Sequence, residues 1–166
     1  MKGLVWFRSD LRINHNPALK EACLSCEEVH AVYLYSPKQL KKHNEANVKI
    51  EFLINNLHCI AKDLEALNIP ITIIESDGYD TDHYLIKQLI TERNIDRVFW
   101  NNQIGEDEKV RDDNTKQAIE KIGKEHETFF DQEIYPPATL LSGQGTPYSV
   151  FTPFKKKWIE NFDVEY

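Results

Sequence analysis

Glycine-rich phosphate loops are missing from this 166-residue chain. Its six glycines form neither a G-x-G-x-x-G turn nor a Walker loop, which argues against a dinucleotide or nucleotide gripped by its phosphates on a glycine turn. No serine is flanked as in a nucleophile elbow, and Ser9 lacks the two glycines, so a hydrolase gains no support. Positive charge is scarce: 20 Lys and Arg stand against 27 Asp and Glu, a net charge of −7. A free-standing nucleic-acid binder is usually basic, so this segment is a poor candidate for gripping phosphates by itself. No run of about 18 apolar residues offers a membrane span, and Met1-Lys2-Gly3 enters a strand with no signal-like segment before it. Cysteine is limited to Cys23, Cys26 and Cys59. An odd count without a secretory signal fits a reducing, cytoplasmic setting. Cys23 and Cys26 form a C-x-x-C with no second pair to complete a zinc site, so no metal is expected.

What is present is an alternation of apolar strand runs and helical stretches. Residues 3–7 are almost continuously hydrophobic, the pattern of a central strand buried on both faces. Asn16-Pro17 starts a helix well, since Asn can cap and Pro suits the first helical position. A second strand spans 29–35 and is ended by Ser36-Pro37, followed by a loop carrying Lys41-Lys42-His43-Asn44. From 46 to 67, Phe52, Leu53, Leu57, Ile60, Leu64 and Leu67 recur at helical spacing and predict one apolar face. Strands are predicted at 70–75, 97–100 and 127–130, with helices over 80–93 and about 107–123 between them. Beyond Asp131, Pro136-Pro137, Gly143, Gly145 and Pro147 mark an extended segment, and a last helix is predicted near Pro153. The expected organisation is therefore one α/β domain over 1–131 and an extended linker-like segment over 132–166.

Five strands separated by helices predict a doubly wound five-stranded parallel sheet, Rossmann-like, with strand order 3-2-1-4-5 and helices on both faces. Ligands of such sheets bind at the carboxyl ends of the strands, where the order reverses. The crevice then lies between Arg8–Asn14 and residues 101–108, bordered by the loop with His43.

Arg8, Asp10 and Arg12 alternate charge just past the buried strand and could pair among themselves or meet a ligand. Asp107 and Glu108 open the helix after the fourth strand, where the helix dipole favours carboxylates in any case. Glu108 could also accept two N–H groups from an amino-pyrimidinone edge. His43 could act as a pH switch or metal ligand. Lys155-Lys156-Lys157 reads as a solvated face, with Phe151, Phe154 and Trp158 opposite it.

Three stretches carry a resemblance. They are Leu4-Val5-Trp6-Phe7-Arg8-Ser9-Asp10-Leu11-Arg12 with Asn16-Pro17-Ala18-Leu19, then Asn-Asn-Gln-Ile-Gly-Glu-Asp-Glu-Lys-Val-Arg-Asp over 101–112, then Tyr148-Ser149-Val150-Phe151-Thr152-Pro153-Phe154 with Trp158. Together, in order and over essentially the whole chain, they resemble the N-terminal α/β domain of the photolyase/cryptochrome family. One departure is His15, where that family usually has Asp.

The resemblance implies a light-dependent DNA-repair lyase, which splits cyclobutane pyrimidine dimers using FAD held in a C-terminal helical domain outside these 166 residues. That domain and, through it, damaged DNA are the implied partners, and no membrane or metal is implied. In this domain the resemblance implies an antenna pigment, methenyltetrahydrofolate or alternatively a deazaflavin or another flavin. The implied cofactor-binding residues are His43, Asp107 and Glu108; no catalytic residue is expected here. Asp107 departs from an Asn-Glu pair, and a carboxylate can accept but not donate. Two further readings stand beside this one: a cryptochrome light sensor, and a stand-alone nucleotide-binding α/β protein related only by fold.

Overall fold

The computed structural model describes residues 1–162. The chain divides into two compact units, Met1–Asp131 and Gln132–Tyr166.

The first unit holds a five-stranded parallel sheet of order β3-β2-β1-β4-β5. Its strands are β1 (Lys2–Phe7), β2 (Glu28–Tyr35), β3 (Ile71–Glu75), β4 (Arg97–Asn101) and β5 (Glu125–Phe129). Its helices are α1 (Pro17–Ser25), α2 (Pro37–Lys42), α3 (Asn47–Ala66), α4 (Asp82–Arg93) and α5 (Glu106–Glu120). β1 is central and pairs on both sides, with Trp6 opposite Val32 and Val5 opposite Phe99.

The two-residue period of β1 sorts its side chains into two cores. Leu4 and Trp6 join Val32, Val98 and Trp100 on the face covered by Ile86 and Ile90 of α4 and Ile119 of α5. Val5 and Phe7 join Ala31 and Phe99 on the other face, covered by Leu19 and Ala22 of α1 and Leu57, Ile60 and Leu64 of α3. Burial on both faces is why β1 and β4 read as continuous apolar runs. Asn16 caps α1, accepting from the Leu19 N–H at 3.1 Å, with Pro17 at the first helical position.

Three elements differ from the sequence expectation. Ser36-Pro37 ends β2 but also opens the six-residue α2, because proline fits the first position of a helix as well as it stops a strand. β5 begins at Glu125, two residues early. Gly123, with φ +69°, turns the chain out of α5 at once, and the Glu125 N–H bonds to the Asp96 carbonyl. On α3 the apolar stripe is wider than the buried face: Phe52 is 70% exposed and Leu67 is 48% exposed.

In the second unit, an isolated bridge joins Leu141 and Pro147, and a last helix, α6, spans Phe151–Asn161. It starts two residues before Pro153, which its first turn accommodates because those N–H groups lack helical partners. Trp158 meets Tyr135 edge-on at 5.7 Å. All three cysteines are free thiols.

Candidate functional site

Two buried guanidiniums stand at the carboxyl end of β1. Arg8 and Arg111 are both nearly inaccessible and share one carboxylate, Asp112. Asp112 accepts from Arg8 Nη1 at 3.2 Å, from Arg111 Nη2 at 2.9 Å and from Trp100 Nε1 at 3.2 Å. Arg8 also donates to the Asn101 carbonyl. Both guanidiniums lie against Trp6, at 4.7 Å and 5.0 Å from its ring centre, and Arg111 lies 4.6 Å from the ring centre of Tyr79. Burial, and then the neighbouring Arg111 charge, lower the Arg8 pKa to about 10. Asp112 and Asp10 oppose that shift, and the group stays charged at neutral pH.

The remaining charges of this loop act as tethers. The Asp10 carboxylate accepts from the Arg8 N–H at 2.8 Å and from Asn101. Arg12 donates to both oxygens of Asp131 and to the His15 carbonyl at 2.9 Å. His15, where the related pattern has Asp, sits at φ +51°. The alternating Arg8-Asp10-Arg12 thus does not pair within itself: Arg8 pairs with Asp112, Arg12 with Asp131, and Asp10 is held by hydrogen bonds, while the two arginines also face a hollow.

That hollow is a cavity of about 470 Å³ at the carboxyl edge of the sheet, lined wholly by residues of the first unit. Its size is that of a small-molecule site. Trp6, Arg8 and Arg111 form part of its wall, Tyr33 and Tyr79 another, and Phe52 with Leu53 of α3 a third. This explains why Phe52 escapes the core. Burial pushes the Tyr33 phenol up to about 12, and burial also raises Tyr79 and Asp82.

A test of this environment is optical. Tyr33 keeps its proton while an unfolded tyrosine would lose one near pH 10. Its contribution to stability is therefore complete below about pH 10 and is lost as the pH rises toward 12. Subtracting the alkaline phenolate titration of Tyr33→Phe from that of the wild type should leave one tyrosine ionising near pH 12. A difference centred near pH 10 would mean that the phenol is open to water.

The three predicted site residues lie beside this cavity and do not line it. His43 is the residue following α2, with Nε2 2.8 Å from Gln39 Nε2 and 4.0 Å from Asp107 Oδ2. Lys42 Nζ lies 3.3 Å from the same Asp107 oxygen. These groups are about half exposed and form a rim cluster. Glu108, in the first turn of α5, folds back over Gly105, where a Cβ would collide with its carboxylate. Its Oε1 accepts from the Tyr79 hydroxyl at 3.4 Å. Tyr79 thus belongs to both the rim and the cavity. The structure brings His43 to Asp107, and Glu108 to the cavity's edge through Tyr79.

Tyr33, Tyr79, Asp82 and Arg111 were not singled out from the sequence as ligand contacts. Arg111 lies in the stretch 101–112 that carried the resemblance, but on a helix this rich in charge its guanidinium carries no mark that it is buried. Tyr33 and Tyr79 carry no sequence mark that separates them from core aromatics. Among the described residues, no group of three His, Cys, Asp or Glu side chains is placed to hold a metal ion, and no helix is long and apolar enough to cross a membrane.

A doubly wound α/β domain with a part-aromatic cavity at its carboxyl edge defines a ligand-binding module of the switch-point type. Residues 3–165 match the family model for DNA photolyase, and the chain belongs to that family. It is 34% identical over 158 residues to the deoxyribodipyrimidine photo-lyase of Escherichia coli (strain K12), covering 95% of this chain and 33% of that protein. The chain therefore spans about a third of the length of such curated relatives. Among solved structures, the cryptochrome of Synechocystis sp. PCC6803 superimposes with a TM-score of 0.84 at 22% identity, over 96% of this chain and 33% of that one. The archaeal photolyase of Sulfolobus tokodaii, described with two FAD molecules, superimposes with a TM-score of 0.77 at 21% identity, over 95% of this chain and 34% of that one. At those identities the structural likeness speaks for the fold.

Proposed function

We propose that this chain is the antenna-binding domain of a light-dependent DNA-repair lyase, a deoxyribodipyrimidine photolyase, and that it seats a planar pigment at the carboxyl edge of its sheet. The observation that carries the reading is the cavity itself, walled by Trp6, Tyr33 and Tyr79 and edged by Glu108. Its volume and aromatic walls fit a ring system, and its lack of a glycine phosphate turn fits a ligand held by its ring. When bound, such a pigment absorbs near-UV or blue light and passes the excitation to the FAD of a C-terminal helical domain, which also meets the damaged DNA.

The work of this chain is to bind, orient and keep water out. Tyr33, Tyr79 and Phe52 offer apolar faces to a ring, and in the same wall Arg8 and Arg111 lie against Trp6, and Arg111 against Tyr79. Two seats are available. A folate would use the rim, with Glu108 accepting from its amino-pyrimidinone edge and His43 and Asp107 beside it. A flavin or deazaflavin would use the cavity. The cavity favours the second, because it is complete within the first unit and its walls need no partner. The rim carboxylates, by contrast, are already engaged, Asp107 by Lys42 and Glu108 by Tyr79.

The sequence similarity to deoxyribodipyrimidine photo-lyases supports repair over sensing. In the full-length protein, light-dependent loss of pyrimidine dimers from irradiated DNA is the expected result; none would mean a cryptochrome-like sensor. Glu108→Ala in that protein is expected to weaken antenna binding about tenfold or more and leave dark DNA binding intact. Unchanged antenna absorbance would clear Glu108 of the role. The absorption of the extracted pigment, near-UV for a folate and blue for a flavin type, decides between the two seats.

A further inference from the structure

The two margins of the sheet are built differently. β5, at one margin, reads Glu125-His126-Glu127-Thr128-Phe129, and its charges blunt it against pairing. β3, at the other, reads Ile71-Thr72-Ile73-Ile74-Glu75 and carries neither lysine nor proline. Its pairing with β2 runs unbroken from Ile71 to Glu75, so no bulge turns this edge away from an incoming strand.

The ladder fixes which backbone groups of β3 are free. The Ala31 N–H donates to the Pro70 carbonyl, and the Ser76 N–H donates to the Tyr35 carbonyl. By the two-residue alternation of a strand, residues 70, 72, 74 and 76 therefore turn their backbone groups to β2. Ile71, Ile73 and Glu75 turn theirs outward, where no strand pairs with them among the described residues. The same alternation sends these three side chains to the face that α3 covers. Ile71 packs on the core of that face, and Ile73 is 50% exposed. A groove runs there between α3 and β3. It consists of two hollows that share His58 and Ala61, one reaching Ile54 and Ile73 and the other Lys62 and Ile71.

We infer that β3 is a docking edge for a second copy of this chain, the two β3 strands pairing antiparallel about a two-fold axis at Ile73. This register places all three outward residues in hydrogen-bonded pairs: Ile73 with its own counterpart, and Ile71 with Glu75 of the second copy. The two Ile73 side chains meet on one face of the joined sheet and cover each other. The charges select the same partner. Glu75 of one copy arrives opposite Ile71 of the other, at the hollow that holds Lys62, a residue with no ion pair among the described residues. Glu65 of that hollow lies one turn nearer the chain reversal at Asn68, past the end of the pairing. The edge thus carries an acid at one end and an unspent base at the other, which is what an antiparallel copy of itself requires.

Sedimentation equilibrium of this chain tests the inference. The contact is small, so a monomer–dimer dissociation constant of about 1–100 µM is expected. Ile73→Lys sets two like charges at the axis and should weaken the dimer about tenfold or more, while the melting temperature stays unchanged at dilutions where wild type is a monomer. Glu75→Lys and Lys62→Glu should each weaken it about five- to tenfold, and the double variant should return to within about threefold of wild type. A second measurement leaves the protein unaltered. Amide hydrogen exchange at Ile71, Ile73 and Glu75 should slow as the concentration rises through the dissociation constant, with Thr72 and Ile74 unchanged because β2 already holds them. A dimer that survives Ile73→Lys, or protection that rises evenly along β3, would overturn the docking edge. Restoration failing in the double variant would overturn the register. A chain that stays monomeric to about 1 mM would overturn the second copy as occupant and leave the edge to an extended segment of another protein.

Discussion

Asp112→Ala is expected to lose about 3–5 kcal/mol of folding stability, a large share of the roughly 5–15 kcal/mol typical of a domain. Asp112 is the shared acceptor for Arg8, Arg111 and the Trp100 indole N–H. Its removal leaves two guanidiniums buried with nothing between them, and Arg8 Nε already has no partner. The loss comes from the charges left behind more than from the bonds removed. Asp112→Asn keeps an acceptor and should lose less. A variant in which Arg8 is also replaced by Met should recover part of the deficit, because one stranded charge is gone. Urea unfolding monitored by tryptophan fluorescence reads all three. An Asp112→Ala midpoint close to that of wild type would mean that water reaches these arginines.

Asn101→Ala is expected to cost about 2–4 kcal/mol, as several buried bonds end on one amide. Asn101 donates to Asp10 and to Asn16 Oδ1 at 2.9 Å, and its own Oδ1 accepts the Ala18 N–H at 3.2 Å. It ties the carboxyl end of β4 to the loop after β1 and to the cap of α1. Loss of the amide frees Asp10 and Asn16 together, so the cavity's Arg8–Arg12 wall should loosen as well. Amide hydrogen exchange is expected to quicken at residues 8–19 well beyond the change in global stability. Acceleration spread evenly over the sheet would show that Asn101 contributes bulk stability and does not hold the loop.

These two effects also show which parts of the molecule were legible in the sequence. Strand order and the central place of β1 followed from continuous apolar runs and helical crossovers, because burial on both faces leaves only apolar side chains at 3–7 and 98–100. Asn16-Pro17 was legible because capping is local chemistry. α2 was not, since a proline after a strand serves equally as a stop and as a helix start. The cavity was legible on one wall only, since of the expected opposite wall, 101–108, Gln103 alone lines it. Residues 8–12 on its sheet-loop side were foreseen, whereas Phe52 and Leu53 from α3 and Tyr33 from β2 depend on how far the helix stands from the sheet edge. Side-chain spacing along one helix says which face is apolar and nothing about which part of that face meets another element.

By itself, the sequence determined the doubly wound sheet, the family and a hollow at the carboxyl end of the sheet. Periodicity, capping and motif order are properties of neighbouring residues, and they survive in one dimension. Only the tertiary structure decided that one carboxylate, Asp112, serves two arginines, that Lys42 and His43 gather at Asp107, and that Asp82 and Tyr33 face a common hollow. Each of those facts joins residues from separate elements. The physical reason is that burial and pairing energies depend on distances through space, and these exist only once the helices have packed on the sheet.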